Sequence, residues 1–173
     1  MGAFSRAAFL AVGSELLRTS RLDTNSLFVA AKLAACGVEM TEKRCVGDDA
    51  QAIAGAVSDL LTRADLVVVS GGLGPTADDV TREGVAAALQ RKLHLDQELF
   101  ALLQERYRRL GRSMPSIAAR MAYLVEGAQV LPNPRGTAPG QWLEVGSRAL
   151  VLLPGVPEEL ETIFALHVLP RIQ

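Results

Sequence analysis

The stretch LVVVSGGLGPTADDVT, residues 66–81, decides how the chain reads. A continuous apolar run breaks into glycines at 71, 72 and 74 and then reaches two adjacent carboxylates, Asp78 and Asp79. The run reads as a buried strand and the residues beyond the turn as the start of a helix over 78–90. Glycine lets backbone amides approach an anion closely, and the helix adds the positive end of its dipole, so the junction is suited to hold phosphate. The two acids would repel that phosphate unless a divalent cation, Mg2+ by preference, stood between them, which predicts a phosphate-plus-metal site. A P-loop is excluded, because Gly74 is followed by Pro75-Thr76 and the next lysine is Lys92. Gly72-x-Gly74-x-x-Ala77 matches the permissive dinucleotide spacing. Its place after the third strand, and the acids at its helix start, count against that reading.

Working outward, apolar runs alternate with amphipathic stretches, the pattern of helices packed on a largely parallel sheet. Ala7–Val12 reads as a first buried strand. Asp23 or Thr24 caps a helix through Cys36, with Gly37 as its stop. A weaker strand over 38–46 precedes Asp48-x-x-Gln51, read as a capping box opening a helix with Ile53, Val57, Leu60 and Leu61 on its apolar stripe. Asp96 caps a further helix to Leu110, ended by Gly111, whose arginines read as a solvated face. A short helix over 115–123, a strand at Val130–Leu131 and a turn-rich loop, PNPRGTAPG, follow. Gln141–Val145 and Arg148–Leu153 flank Gly146-Ser147 as a hairpin, which places an antiparallel strand in the sheet. The last helix starts near Pro157, with Glu158 and Glu159 in its first turn.

The 173 residues, 49% of them hydrophobic, are enough for one domain with a full core, and the net charge of −1 offers no bulk attraction to nucleic acid or an anionic membrane. Cys36 and Cys45 read as reduced thiols of a cytoplasmic protein, and the Ala7–Val12 run is too short for a signal core or a membrane span. The partner is expected to be a small phosphorylated ligand. His94 and His167 lack metal-ligand spacing and read as structural, and no serine–histidine–acid triad or zinc cluster is present.

In an open α/β sheet, ligands bind beyond the carboxyl ends of the strands. Polar turns stand at such ends at Ser14-Glu15, Gly47-Asp48-Asp49, Gly71–Asp79, Asn133–Gly140 and Pro154–Glu158, and convergence of these turns on one cleft is expected. Each has a plainer alternative: Asp48 as a helix cap, Glu15 as a surface residue, Asp78 as a first-turn acid favouring the dipole.

VSGGLGPTADDVT, with AVGSELL at 11–17, DTNS at 23–26, VGDD at 46–49, LPNPRGTAPG at 131–140 and LPGVPEEL at 153–160, closely resembles the N-terminal domain of the CinA family (competence/damage-inducible protein). That family lies in the molybdopterin-binding superfamily of molybdenum-cofactor biosynthesis proteins of the MoaB and Mog type. The resemblance is collinear over nearly the whole chain. It implies a three-layer α/β/α sandwich with a mostly parallel, mixed sheet and a site across the strand ends.

In relatives handling molybdopterin, the resemblance implies that the glycine loop binds the pterin's phosphate end and that two aspartates, here Asp48 and Asp79 by motif position, act in adenylyl transfer with Mg2+. In CinA-type domains it implies ADP-ribose hydrolysis to AMP and ribose 5-phosphate with a divalent metal. Leu73, where cofactor-making members often carry Thr, favours that hydrolase branch. CinA proteins usually continue into a deamidase-type domain, so residues 1–173 are expected to be either one domain of a longer protein or a stand-alone version. Relatives assemble as dimers or trimers, and a homo-oligomer is expected.

The leading expectation is therefore a metal-dependent nucleotide pyrophosphate hydrolase, with a molybdopterin-binding or adenylyl-transferring protein and a non-catalytic nucleotide-binding module as rivals. Asp48 and Asp79 are assigned to catalysis, and Gly71, Gly72, Leu73, Gly74, Pro75 and Thr76 to phosphate. Metal binding is assigned to Asp48, Asp49, Asp78 and Asp79. Substrate contacts are expected from Ser14, Glu15 and Asn25, from Asn133, Gly136, Ala138, Pro139 and Gly140, and from Pro154, Gly155, Pro157 and Glu158.

Overall fold

A computed structural model describes residues 4–18 and 22–173. β1 (Arg6–Val12) is buried on both faces from Ala7 onward. Ala8, Leu10 and Val12 enter one core, while Ala7, Phe9 and Ala11 enter the other. The period of two along an apolar run divides its side chains between two helical layers. The remaining strands are β2 (Glu39–Val46), β3 (Leu66–Ser70), β4 (Leu93–Leu95), β5 (Tyr123–Val125), β6 (Gln129–Leu131), β7 (Gly140–Val145) and β8 (Arg148–Leu153). The main sheet has the order β2-β1-β3-β8-β7-β6; β2, β1, β3 and β8 are mutually parallel, while β7 runs antiparallel to β8 and β6 to β7.

The helices are α1 (Ser14–Arg18), α2 (Thr24–Ala35), α3 (Ala50–Arg63), α4 (Thr81–Leu89), α5 (Gln97–Arg109) and α6 (Pro157–Ile163), with α7 (Leu169–Ile172) closing the chain. Apolar residues of α3, α4 and α5 fill the core on one face of the sheet, and those of α2 and α6 the core on the other. This is a three-layer α/β/α sandwich. Each fully buried Leu, Ile or Phe in the two cores contributes about 2 kcal/mol. Between α6 and α7 the amide of Leu169 bonds to the carbonyl of Phe164, a π-type turn just before Pro170, which has no amide to continue the ordinary ladder.

β2 is the outer strand, with its residues alternately exposed and half-buried. Along it Arg44 pairs with Glu42 and with Asp59 of α3, and Arg63 joins Asp59 and Glu42.

Three local expectations need correction. The cap of α3 is Asp49, whose side chain accepts from the Ala52 amide at 2.7 Å, and not Asp48. Asp48 is unavailable because the Ser14 amide holds its Oδ2 at 2.9 Å. α4 starts at Thr81 and not at Asp78, because Asp79 turns back on Thr76: the Asp79 amide bonds to the Thr76 carbonyl at 3.1 Å and the Thr76 amide to Asp79 Oδ2 at 2.8 Å. That is a hydrogen-bonded turn carrying one half of a capping box, the acid reaching back to the amide three residues before it, while the Thr76 hydroxyl donates to the same carboxylate. Third, β4 and β5 form a separate two-stranded antiparallel sheet, and the segment 115–123 is a 3-10 helix over Ser116–Ala122 followed by the start of β5.

Candidate functional site

Because β2 and β3 flank β1 on opposite sides, the crossovers diverge at the carboxyl ends of β1 and β3, the topological switch point where ligands bind in such sheets. A cavity of about 370 Å3 opens there. Its wall is drawn from all five polar turns: Gly13 and Glu15 after β1, Asp48 after β2, Gly71–Pro75 with Asp78 and Asp79 after β3, Thr137 and Ala138 before β7, and Pro154–Val156 after β8. Glu159 and Met121 complete it.

The turn after β3 is fixed from behind. Gly71 and Gly72 have φ of 103° and 66°, and a Cβ on Gly71 would stand 2.2 Å from the Val12 carbonyl oxygen. A side chain there is excluded by both strain and space. Leu73 is 1% exposed and anchors the turn in the core. Arg82, 2% exposed, donates through its guanidinium to the carbonyls of Leu73 and Gly74, each at 2.8 Å. Burial lowers its pKa to about 10, partly offset by Glu83, so it remains a cation at neutral pH. A trans peptide directs its N–H opposite to its C=O, so holding the Leu73 carbonyl inward turns the Gly74 amide away from Arg82. The amides of Gly72, Leu73 and Gly74 find no acceptor among the described residues. Buried or half-buried amides are normally paired, so three adjacent open donors with their carbonyls held from behind make a cradle of the geometry that suits an anion.

Carboxylates face this cradle. Asp48 and Asp79 are each anchored through Oδ2 by a backbone amide, of Ser14 and Thr76 respectively, and the Ser14 hydroxyl accepts from the Asp48 amide at 3.1 Å. Oδ1 of each has no protein donor among the described residues. Asp79 also crowds the turn: a Cβ on Gly74 would lie 2.6 Å from its Oδ2. Asp78 is held below the usual carboxylate range, first by the Thr76 hydroxyl, then by its own amide, with Arg120 contributing less. Arg120 donates to the Asp79 carbonyl at 3.0 Å and to Glu83 at 2.7 Å, a second cation behind the turn.

Among the described residues there is no group of three or more His, Cys, Asp or Glu that could hold a metal by itself. Hard carboxylate oxygens beside open backbone donors are the donor set that would suit the other mode, in which one or two carboxylates share Mg2+ with ligand phosphates.

Other expected contacts lie around the cavity. Thr76 braces Asp79, Asp49 caps α3, and Ser14 positions Asp48. Asn25 is beneath the floor, donating to Ser70 Oγ and the Gly155 carbonyl, each at 3.0 Å. Asn133 shapes the 133–139 strap, donating to Ala138 and Glu159 and accepting from the amides of Arg135 and Gly136. Gly136 and Pro139 face a different cavity, Gly140 is buried as the first residue of β7, Pro157 starts α6, and Glu158 lies outside beside Arg135. Sequence reading missed Glu159, Met121 and above all Arg82. The signal for Arg82 was present: 82, 85, 86 and 89 have the spacing of one helical face, so the arginine lies on the apolar stripe of α4.

Residues 8–173 fit the family described as a probable molybdopterin binding domain, and the chain belongs to it. Within that family it is CinA-like. It is 48% identical to a CinA-like protein of Solibacter usitatus over 96% of this chain and 40% of that one, and 42% identical to one of Deinococcus deserti over 96% of this chain and 42% of that one. The chain thus spans about 40% of the length of such relatives. The solved CinA structure from Thermoplasma acidophilum superposes with a TM-score of 0.91 at 33% identity, covering 98% of this chain and 99% of that one. MoaB of Thermus thermophilus, a molybdopterin biosynthesis enzyme, shares the fold at a TM-score of 0.62 and 22% identity, covering 97% of this chain and 96% of that one. No helix among the described residues is long and apolar enough to cross a membrane.

Proposed function

We propose that the cleft binds a pyrophosphate-bearing nucleotide, ADP-ribose by preference, and hydrolyses its phosphoanhydride to AMP and ribose 5-phosphate with a divalent cation. The observation that carries this reading is the row of open amides at Gly72, Leu73 and Gly74 facing the anchored carboxylates of Asp48 and Asp79. The amides take the non-bridging phosphate oxygens, where negative charge grows as water adds to phosphorus and the anhydride P–O bond breaks. Arg82 and Arg120 keep that cradle in place and add positive charge behind it. Oδ1 of Asp79 or Asp48 accepts the proton of the attacking water. Asp48, with Asp78 or Asp79, would hold Mg2+, which when bound would neutralise phosphate charge and lower the pKa of water.

The test is release of AMP from ADP-ribose by the purified chain with Mg2+ and with EDTA. Turnover that needs the cation and falls in Asp79→Asn supports the reading. Full turnover in that variant removes Asp79 from the chemistry, and tight nucleotide binding without turnover under any divalent metal leaves a binding module in place of an enzyme.

A second reading, molybdopterin binding or adenylyl transfer, is favoured by the family match over residues 8–173 and by the shared fold of MoaB. Incubation with molybdopterin, ATP and Mg2+ separates the two: an adenylylated pterin supports it, and absence of both binding and product removes it.

A further inference from the structure

Across the 133–139 strap from the carboxylates lies a second, larger cavity of about 540 Å3, between α5 and β6. Its walls are apolar, with Leu99, Leu102, Leu103, Val130, Pro132 and Pro139 among them, and Arg106, Arg109, Glu98 and Glu105 stand around them. The strap is shared between this cavity and the phosphate cavity. Thr137 lines both cavities, Ala138 faces the phosphate side, and Gly136 and Pro139 face the apolar side. Gly136 is pressed on Glu159 so closely that a Cβ there would fall 2.1 Å from the carboxylate, while Glu159 itself lines the phosphate cavity. Arg106 pins the strap by donating to the Gly136 carbonyl, and Asn133 ties it to Glu159 at 2.6 Å. The partition is therefore a built feature, held from both sides by charged groups.

We infer that this apolar cavity is the subsite for the flat heteroaromatic ring of the ligand whose phosphates occupy the neighbouring cradle. The inference rests on the phosphate-site reading above. A heteroaromatic ring needs apolar walls for its faces and donors and acceptors for its edge, which is what leucines and prolines beside arginines and glutamates offer. No aromatic side chain among the described residues lines either cavity, so stacking falls to the guanidinium planes of Arg106 or Arg109. Thr137 belongs to the walls of both cavities, so they adjoin there, and a ligand reaching from one into the other passes over the strap at that residue. The ring is that of a purine nucleotide or of a pterin, and the two sources are separable by experiment.

Calorimetric titration of the whole chain with inorganic pyrophosphate, AMP, ribose 5-phosphate and neopterin monophosphate, each with Mg2+, tests it. Two variants change the cavity without touching the cradle: Leu102→Glu, at a position 65% exposed on α5, and Val130→Phe, which fills the space. The ring-bearing ligand is expected to bind about tenfold more tightly than ribose 5-phosphate, and to lose about tenfold in either variant while pyrophosphate is unchanged. Whichever of AMP and neopterin monophosphate shows that loss identifies the ring. AMP and pterin affinities that survive both variants, with pyrophosphate still bound, overturn the subsite. A change of sedimentation in Leu102→Glu with nucleotide affinity intact also overturns it, assigning the cavity to a second copy of the chain. Failure of pyrophosphate to bind the unmodified chain is a different result, removing the phosphate-site reading and this subsite with it.

Discussion

The chain carries the dipeptide Asp-Asp twice, at 48–49 after β2 and at 78–79 after β3, and the fold uses the two copies differently. In the first, the second acid caps a helix at once, which leaves Asp48 to the cavity, braced by Ser14. In the second, Asp79 closes a turn on Thr76, the helix waits until Thr81, and both acids line the cavity. The difference comes from what lies behind. Ser14 is a small hydroxyl from a neighbouring strand end, whereas the turn before Asp78 is gripped by a buried arginine. An acid's role here is set by the partner that the fold brings to it, and adjacent identical residues do not share one.

The sharpest way to break the contrast is Arg82→Met, since no buried arginine among the described residues stands behind Asp48. Losing two charge-assisted hydrogen bonds, one buried and one half-buried, leaves the carbonyls of Leu73 and Gly74 without this partner, and urea unfolding should show a loss of about 2–4 kcal/mol. Asp79→Asn should lower AMP release by about 100-fold, while Asp49→Asn, still a good cap, stays near the unmodified rate; equal losses would erase the distinction between the second acids of the two pairs. Asp49→Ala should cost about 1 kcal/mol of stability in denaturant titration with activity per folded molecule retained.

Ser14→Ala loosens Asp48, and kcat/KM is expected to fall by about fivefold, the size of one hydrogen bond. The smallest effect concerns pH. The Asp78 carboxyl is held below its ordinary 3.8, so its stabilising share is complete above that value and is lost as pH falls through the folded-state value. Thermal melts of the unmodified chain and Asp78→Asn between pH 6 and pH 2 should therefore converge at the acid end.

Much of this was legible because it is local. β1 and β3 announce themselves as apolar runs, Asp96 and Gly111 bracket α5, and Gly146-Ser147 turns the β7–β8 hairpin. The convergence of the five turns followed from strand polarity alone. What was not legible depends on distant partners. β4 and β5, three residues each, are defined only by pairing with one another, and the strap of residues 133–139 takes its shape from the Asn133 amide and Glu159. Asp48 looked like a cap because the competing grip of Ser14 comes from 34 residues away. The apolar cavity beyond the strap had no sequence sign, since its wall is assembled from α5, β6 and the loop after β6.

The outer strand β2 bears on how the molecule behaves in a crowded solution. A sheet with free edges invites another chain to continue it, and this sheet has two, β2 and β6. β6 offers three residues, too few to template a lasting ladder. β2 is longer, but Arg44, Glu42, Asp59 and Arg63 interlock along it, tightly enough that the two arginines hold Asp59 at a pKa of about 2. An incoming strand would have to strip water from that lattice of charges, so brevity guards one border and ion pairs the other against fibre-like growth.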